Sequence, residues 1–283
     1  MSNLEYIRKQ GLDKFYTKKD YAKTCIDKTF ELYRIDEFTL IIEPSAGNGN
    51  FYEQILFQNK IGIDIEPENQ NLVRLNFFDY KPDKQGKILV IGNPPFGKVS
   101  SLAIKFFNHA AEWADVIAFI IPKTFRKQSV IKKLDKRFHL VYDEDTPQNP
   151  CVFQPKMMVK CCFQVWEKRN KNRKDINIPT THNDWEYVKL GPLDNNNQPT
   201  PPTNVDFALR AYGGKIGHIE TEDLHLLRPK SWHWIKSNID KNILISTFKS
   251  LDYSNSLNTA RQNSMGKSEL VKLYSDYIKS HPL

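Results

Sequence analysis

The 283-residue sequence has no run of about 18 apolar residues and no N-terminal apolar signal. It has only four cysteines and no internal repeat. The first two absences argue against a membrane span and a cleaved secretory signal, so the expected setting is cytoplasmic or nucleoid-associated. Cys25, Cys151, Cys161 and Cys162 are not spaced as zinc ligands. Adjacent Cys161 and Cys162 on a predicted strand point to opposite faces, which suits small buried thiols kept reduced. Acidic residues are in deficit, 33 against 41 Lys and Arg, giving a formal charge of +8. That excess favours a polyanionic partner, although excesses of this size also occur in proteins that never touch nucleic acid.

The apolar pattern alternates between strand and helix. Short buried strands are predicted at Thr39 to Ile42, Lys60 to Ile65, Ile88 to Gly92, Val116 to Ile121, Phe138 to Tyr142 and Met157 to Trp166, with helices at about 51–58, 100–113 and 125–135. This order implies an α/β fold: a Rossmann-like, doubly wound and mostly parallel sheet with an antiparallel final hairpin. Ligands are expected along the C-terminal strand tips. Residues 1–168 form the expected catalytic domain. Residues 169–204, rich in charge, Asn, Pro and Thr, are expected as a polar linker or insert, and 205–283 as a small C-terminal recognition module.

The chemistry starts at Asn93, Pro94, Pro95 and Phe96, directly after a predicted strand. Two prolines fix φ and withhold two backbone donors, so the carbonyls here face a pocket instead of a sheet ladder. The Asn93 oxygen and the Pro94 carbonyl can both accept from one amino group and draw a conjugated nitrogen towards nucleophilic geometry. Phe96 offers an apolar face to a planar ring, or else packs in the core behind a Pro-Pro turn.

Upstream, Glu43-Pro44-Ser45-Ala46-Gly47-Asn48-Gly49 follows a strand. Gly47 and Gly49 permit positive φ and close ligand approach. The loop lacks the Lys-Ser/Thr ending of a phosphate cradle, and Glu43 would repel polyphosphate but attract a cationic amino-acid group. Asp64 at the next strand tip suits ribose hydroxyls, and Asn76 with Phe77 suits an adenine edge and face.

In this order the motifs resemble the S-adenosylmethionine-dependent adenine-N6 methyltransferases of nucleic acids, over roughly residues 12 to 168. The resemblance implies S-adenosylmethionine as cofactor and no metal. It implies that Thr17 of Phe15-Tyr16-Thr17 closes over the cofactor, that Glu43, Ser45, Gly47 and Gly49 meet its methionine part, Asp64 and Ile65 its ribose side, and Asn76 and Phe77 its adenine. Lys18 stands where a proline commonly follows the threonine, and Asn76 where the family usually has Asp. Asn93 to Phe96 would be catalytic. A paired amino group cannot reach such a pocket, so the base must be flipped or single-stranded. Phe153 is then either its second stacking face or a loop aromatic packed under the final hairpin.

The basic run from Lys123 to Arg137 includes Lys123, Arg126 and Lys127 and opposes one acid, Asp135. It reads as a phosphate track beside the site or as a solvated helix face. The run from Lys168 to Lys174 reads as linker or contact. DNA is the favoured substrate, because the Phe-Tyr-Thr element and the Val152-Phe153 segment point that way. The alternatives are adenine-N6 methylation of RNA, a protein glutamine methyltransferase, and a non-catalytic nucleic-acid-binding or regulatory subunit, and a protein partner subunit is left open; cytosine-N4 chemistry usually shows Ser or Asp at the position of Asn93.

Overall fold

The computed structural model describes residues 15–83, 85–174 and 176–281. Residues 12–14, the start of the expected family match, lie outside them. The chain divides into two units, 1–175 and 176–283.

The first unit contains β1 (Tyr16–Thr17), α1 (Lys19–Leu32), β2 (Phe38–Glu43), β3 (Lys60–Asp64), β4 (Val73–Arg74), β5 (Lys87–Gly92), α2 (Ser101–Ala111), β6 (Val116–Pro122), the short α3 (Gln128–Ile131), β7 (Phe138–Asp145), β8 (Phe153–Gln154) and β9 (Cys161–Lys168). Seven strands make one sheet in the order β4-β3-β2-β5-β6-β9-β7. All neighbours are parallel except β9, which runs antiparallel to both β6 and β7. This is a Rossmann-like, doubly wound and mostly parallel α/β sheet with one reversed strand.

The central strands are buried on both faces, which is why they read as continuous apolar runs. Leu89 and Ile91 pack with Ala22, Cys25 and Ile26 of α1, while Ile88 and Val90 pack with Ala103, Phe107 and Ala110 of α2. Period-two alternation thus assigns each layer its residues. Cys161 joins the α1 layer and Cys162 the α2 layer.

Two expected helices are shorter in the structure. The stretch 51–58 holds a single 3-10 turn, Tyr52–Gln54. Lys60 Nζ donates to the carbonyls of Tyr52 and Ile55 at 2.6 and 2.8 Å, closing the turn where further helix would have run. Residues 125–135 hold a 3-10 turn, Lys123–Arg126, and the four residues of α3.

The second unit is a four-stranded antiparallel sheet of β10 (Trp185–Tyr187), β11 (Phe207–Arg210), β12 (Ile219–Glu220) and β13 (Trp232–Ser237), in the order β10-β13-β11-β12. Helices α4 (Lys241–Lys249) and α5 (Lys267–Ser280) pack on Trp185, Phe207, Leu209 and Ile235. Trp232 and Trp234 are buried with Ala208, and Leu224 and Leu227 pack against them. Part of the segment expected as linker, 169–204, therefore supplies a strand, because Trp185 buries its indole in this core.

Candidate active site

Strand order reverses between β2 and β5, so a crevice opens at their C-terminal tips, the place where open α/β sheets bind ligands. Glu43 ends β2 and Asn93 follows β5. Gly92 has φ +153°, and a Cβ there would stand 3.2 Å from Glu43 Cγ, so glycine makes room for the Glu43 side chain beside the Asn93-Pro94-Pro95 turn. A narrow cleft here is lined by Thr17, Glu43, Ser45, Asn48, Asn50 and Asn93.

The Asn93 amide is held at one end only. Its Nδ2 donates to the Phe15 carbonyl at 3.2 Å, which leaves Oδ1 buried without a hydrogen-bond partner. A buried acceptor without a donor is costly and calls for a ligand. Thr17 Oγ1, on the same cleft, is also buried without a partner. Pro94 is buried, and Phe96 is half-buried and packs against both core layers.

Phe15, Tyr16 and Thr17 form a strap across the cleft. β1 pairs antiparallel with β8, Tyr16 opposite Gln154 and Thr17 opposite Phe153. Lys18 N donates to the Val152 carbonyl at 2.8 Å, and Asn50 Nδ2 to the Thr17 carbonyl at 2.7 Å. Tyr16 hydroxyl donates to Glu68, and its ring lies on Gly47, where a Cβ would meet ring carbon at 2.6 Å. Gly47, at φ +52°, thus serves both the turn and the strap.

Glu43 is only 3 % exposed. Burial pushes its carboxyl well above the ordinary carboxylate range, against the opposing pull of the Tyr52 amide, which donates to Oε2 at 2.8 Å. Asp64 Oδ2 accepts from Gly47 N at 2.7 Å and Oδ1 from Glu66 N at 2.8 Å, so this carboxylate braces the glycine loop. Ile65 beside it is 50 % exposed, an apolar face at a strand tip. Ser45 lines the cleft, and Gly49 sits at φ +87°.

Other expected contacts lie elsewhere. Asn76 caps a 3-10 turn, its side chain accepting from Phe78 N at 3.3 Å. The Phe77 ring is 2 % exposed and stacks on Phe106 at 5.2 Å, so it is a core ring and not an open adenine face. Phe153 is 3 % exposed within the α1 layer, the packed arrangement of the two expected for it. Lys123 pairs with Asp145, and Arg126 with Asp143 and Asp145. These cations at the tip of β6 are already neutralised by β7, a pairing invisible to a count within the run 123–137. Lys127 is half-buried.

Sequence reasoning missed Asn50, Gly92 and the Phe15 carbonyl. Asn50 had a signal, an amide ending a glycine loop; the carbonyl had none, because every residue carries one.

No family model matches this chain, and no curated protein matches it. Solved structures do resemble it over just over half its length. One, described as a candidate RNA methyltransferase from Pyrococcus horikoshii, shares 15 % identity at a TM-score of 0.43, over 56 % of this chain and 88 % of that one. The 23S rRNA methyltransferase ErmE shares 12 % at 0.40, over 56 % and 61 %. The E. cuniculi Mtq2-Trm112 complex, which methylates the translation termination factor eRF1, shares 12 % at 0.37, over 54 % and 95 %. At these values the functional reading rests on the chain's own residues.

Proposed function

We propose that this chain is an S-adenosylmethionine-dependent methyltransferase acting on the N6 amino group of adenine in DNA. The observation that carries the reading is the Asn93 amide, anchored through Nδ2 and left with a buried, unpaired Oδ1 on the cleft. An amino group is the donor that such an acceptor lacks.

The residues present fit the cofactor. Thr17 Oγ1 is an orphaned polar atom, Glu43 is a buried carboxyl on the cleft, and Gly47 and Gly49 add no side chain of their own to the loop. Thr17, Glu43, Ser45, Gly47 and Gly49 would hold the methionine part, and Asp64 with Ile65 the ribose side. Bound there, S-adenosylmethionine supplies an electrophilic sulfonium methyl. Asn93 Oδ1 and the Pro94 carbonyl accept hydrogen bonds from the target amino group and so orient its lone pair and stabilise the charge developing on nitrogen. Each such contact contributes about 2 to 4 kcal/mol to the transition state. Buried Pro94 and half-buried Phe96 keep water from the amino group. The methylated, positively charged nitrogen loses its proton to water once the product base leaves the site, so no side chain is assigned as base.

DNA is placed ahead of RNA on the family resemblance of the Phe-Tyr-Thr element and the Val152-Phe153 segment, which pair with one another beside the site. The second unit is read as the substrate-recognition module, with exposed Tyr212 and Lys215 on its hairpin. The test offers methyl-labelled cofactor to equal amounts of DNA and RNA, each single- and double-stranded. Label is expected in adenine of DNA; label confined to RNA would move the substrate while keeping the chemistry, and label in neither would remove the nucleic-acid reading.

A further inference from the structure

Two basic segments distant in sequence meet at the edge of the first unit opposite the candidate site. Residues 131–137 and 168–174 hold nine Lys and Arg against one acid, Asp135. Their surplus equals the formal +8 of the entire chain, so every other residue together is charge-balanced. The second unit adds almost nothing, with twelve Lys and Arg against eleven Asp and Glu in 176–283.

The strand register sets their place. Lys168 lies opposite Phe138, and Glu167 opposite Val116, the first residues of β7 and β6. Both segments therefore stand at the N-terminal edge of the sheet, whereas Asn93 follows the C-terminal end of β5. Five residues along the sheet and two strands across it put Lys168 roughly 20 Å from Asn93, at about 3.3 Å per residue and 4.8 Å per strand. The single basic track read from Lys123 to Arg137 is thus split: Lys123 and Arg126 stay at the catalytic edge in ion pairs, and Lys132 to Arg137 go to the opposite one.

The two segments are fixed to each other despite like charge. Arg169 N donates to the Arg137 carbonyl and Arg173 N to the Lys136 carbonyl, both at 2.8 Å. The His139 ring bonds the Lys171 carbonyl at 2.7 Å. The Arg173 guanidinium donates to the carbonyls of Ile131, Leu134 and Asp135 at 3.1 to 3.2 Å and lies over the Trp166 ring. Arg137 pairs with Asp135, and Arg169 with Glu167. Lys132, Lys133, Lys136, Arg169, Lys171 and Lys174 remain exposed around this frame. Holding such charges together costs repulsion that a polyanion relieves, and a preordered array loses little entropy when it binds one.

We infer that this edge is a second, sequence-independent contact for the phosphate backbone of a nucleic acid, away from the target base. The inference rests on the proposed function for the identity of the polymer. Its 20 Å offset corresponds to roughly six base pairs at about 3.4 Å each, so a long substrate reaches both sites and a short one only the catalytic site. The surface carries lysines and arginines without an exposed aromatic among residues 131–137 and 168–174, which suits phosphate contact and not base stacking.

The test compares the full chain with a triple variant, Lys132→Ala, Lys133→Ala and Lys171→Ala, and with a charge-matched control, Lys23→Ala, Lys81→Ala and Lys105→Ala. Binding of a 30-base-pair duplex without cofactor is measured against salt. The patch variant is expected to lose about 2 to 3 from the slope of log K against log salt, at about 0.9 per phosphate, while the control keeps the wild-type slope. Methyl transfer to a single strand of about five nucleotides with the adenine at its centre, too short to span the offset at about 3.4 Å per nucleotide, is expected to be equal in all three proteins, which also reports folding. Equal salt slopes in patch variant and wild type overturn the inference. So does loss of binding to phosphatidylserine vesicles with the nucleic-acid slope unchanged, since that assigns the patch to a lipid surface. A wild type that binds duplex through the patch but transfers no methyl to any substrate refutes the proposed reaction and leaves the patch standing.

Discussion

The two ends of the Asn93 amide are used differently: Nδ2 is spent on the Phe15 carbonyl, and Oδ1 is kept unpaired. Glu43 shows the same reserve, a carboxyl buried at the crevice whose proton affinity is raised by burial. Between its ordinary value of 4.5 and its raised folded value, the native chain holds a proton that the unfolded chain has released. Stability therefore falls as pH rises through that window. A cationic group bound beside Glu43 reverses the shift, so cofactor binding in the window is expected to release a proton. Calorimetry in two buffers of different ionisation heat measures this release, and Glu43→Gln is expected to abolish it. Identical apparent heats for the wild type in both buffers would place the cationic group elsewhere.

At the scale of elements, the strap and the glycine loop behave as one closure. Tyr16 fills the space over Gly47, and Asn50 ties the loop to the Thr17 carbonyl. Gly47→Ala sets a Cβ against the Tyr16 ring and strains a residue at φ +52°. It is expected to weaken cofactor affinity at least tenfold and to cost about 1 to 2 kcal/mol of stability; titration calorimetry and denaturant melts check both, and wild-type affinity would mean that the strap does not close the cofactor site. The central strands were legible in sequence because burial on both faces writes continuous apolar runs. Ile88 to Ile91 and Val116 to Ile121 are such runs. The turn that stands where a helix was expected after Phe51 ends on the Lys60 amine, a side-chain to backbone bond that apolar periodicity does not show. Phe77 read as a ligand face, and Phe153 as either a ligand face or a packed aromatic, because a motif shows the position of an aromatic ring but not what packs on it.

For the whole molecule, the sequence showed where composition changes but not where the core of the second unit begins. Trp185 lies inside the polar stretch 169–204, and only its pairing through β10 to β13 shows that it belongs to that core. The same unit carries a pH-sensitive group. Burial lowers His233 from 6.5 to about 4, and its Nε2 faces the Met265 carbonyl at 2.8 Å. The unfolded chain takes up a proton at His233 between those values and the native chain does not, so its contribution is complete above pH 6.5 and is lost as pH falls towards 4. Thermal melts at pH 7 and pH 5 are expected to show a larger drop for wild type than for His233→Gln, by a few degrees. Parallel pH dependence in the two proteins would show that His233 titrates normally.

The central claim, that Asn93 Oδ1 receives the amino group of adenine, is tested most directly by nucleoside mass spectrometry of unmethylated DNA after incubation with cofactor and either wild type or Asn93→Ala. The expected result is N6-methyladenine with the wild type and a loss of at least about 10²-fold with the variant, at cofactor affinity within a few-fold of wild type. N6-methyladenine formed by Asn93→Ala at the wild-type rate would contradict it.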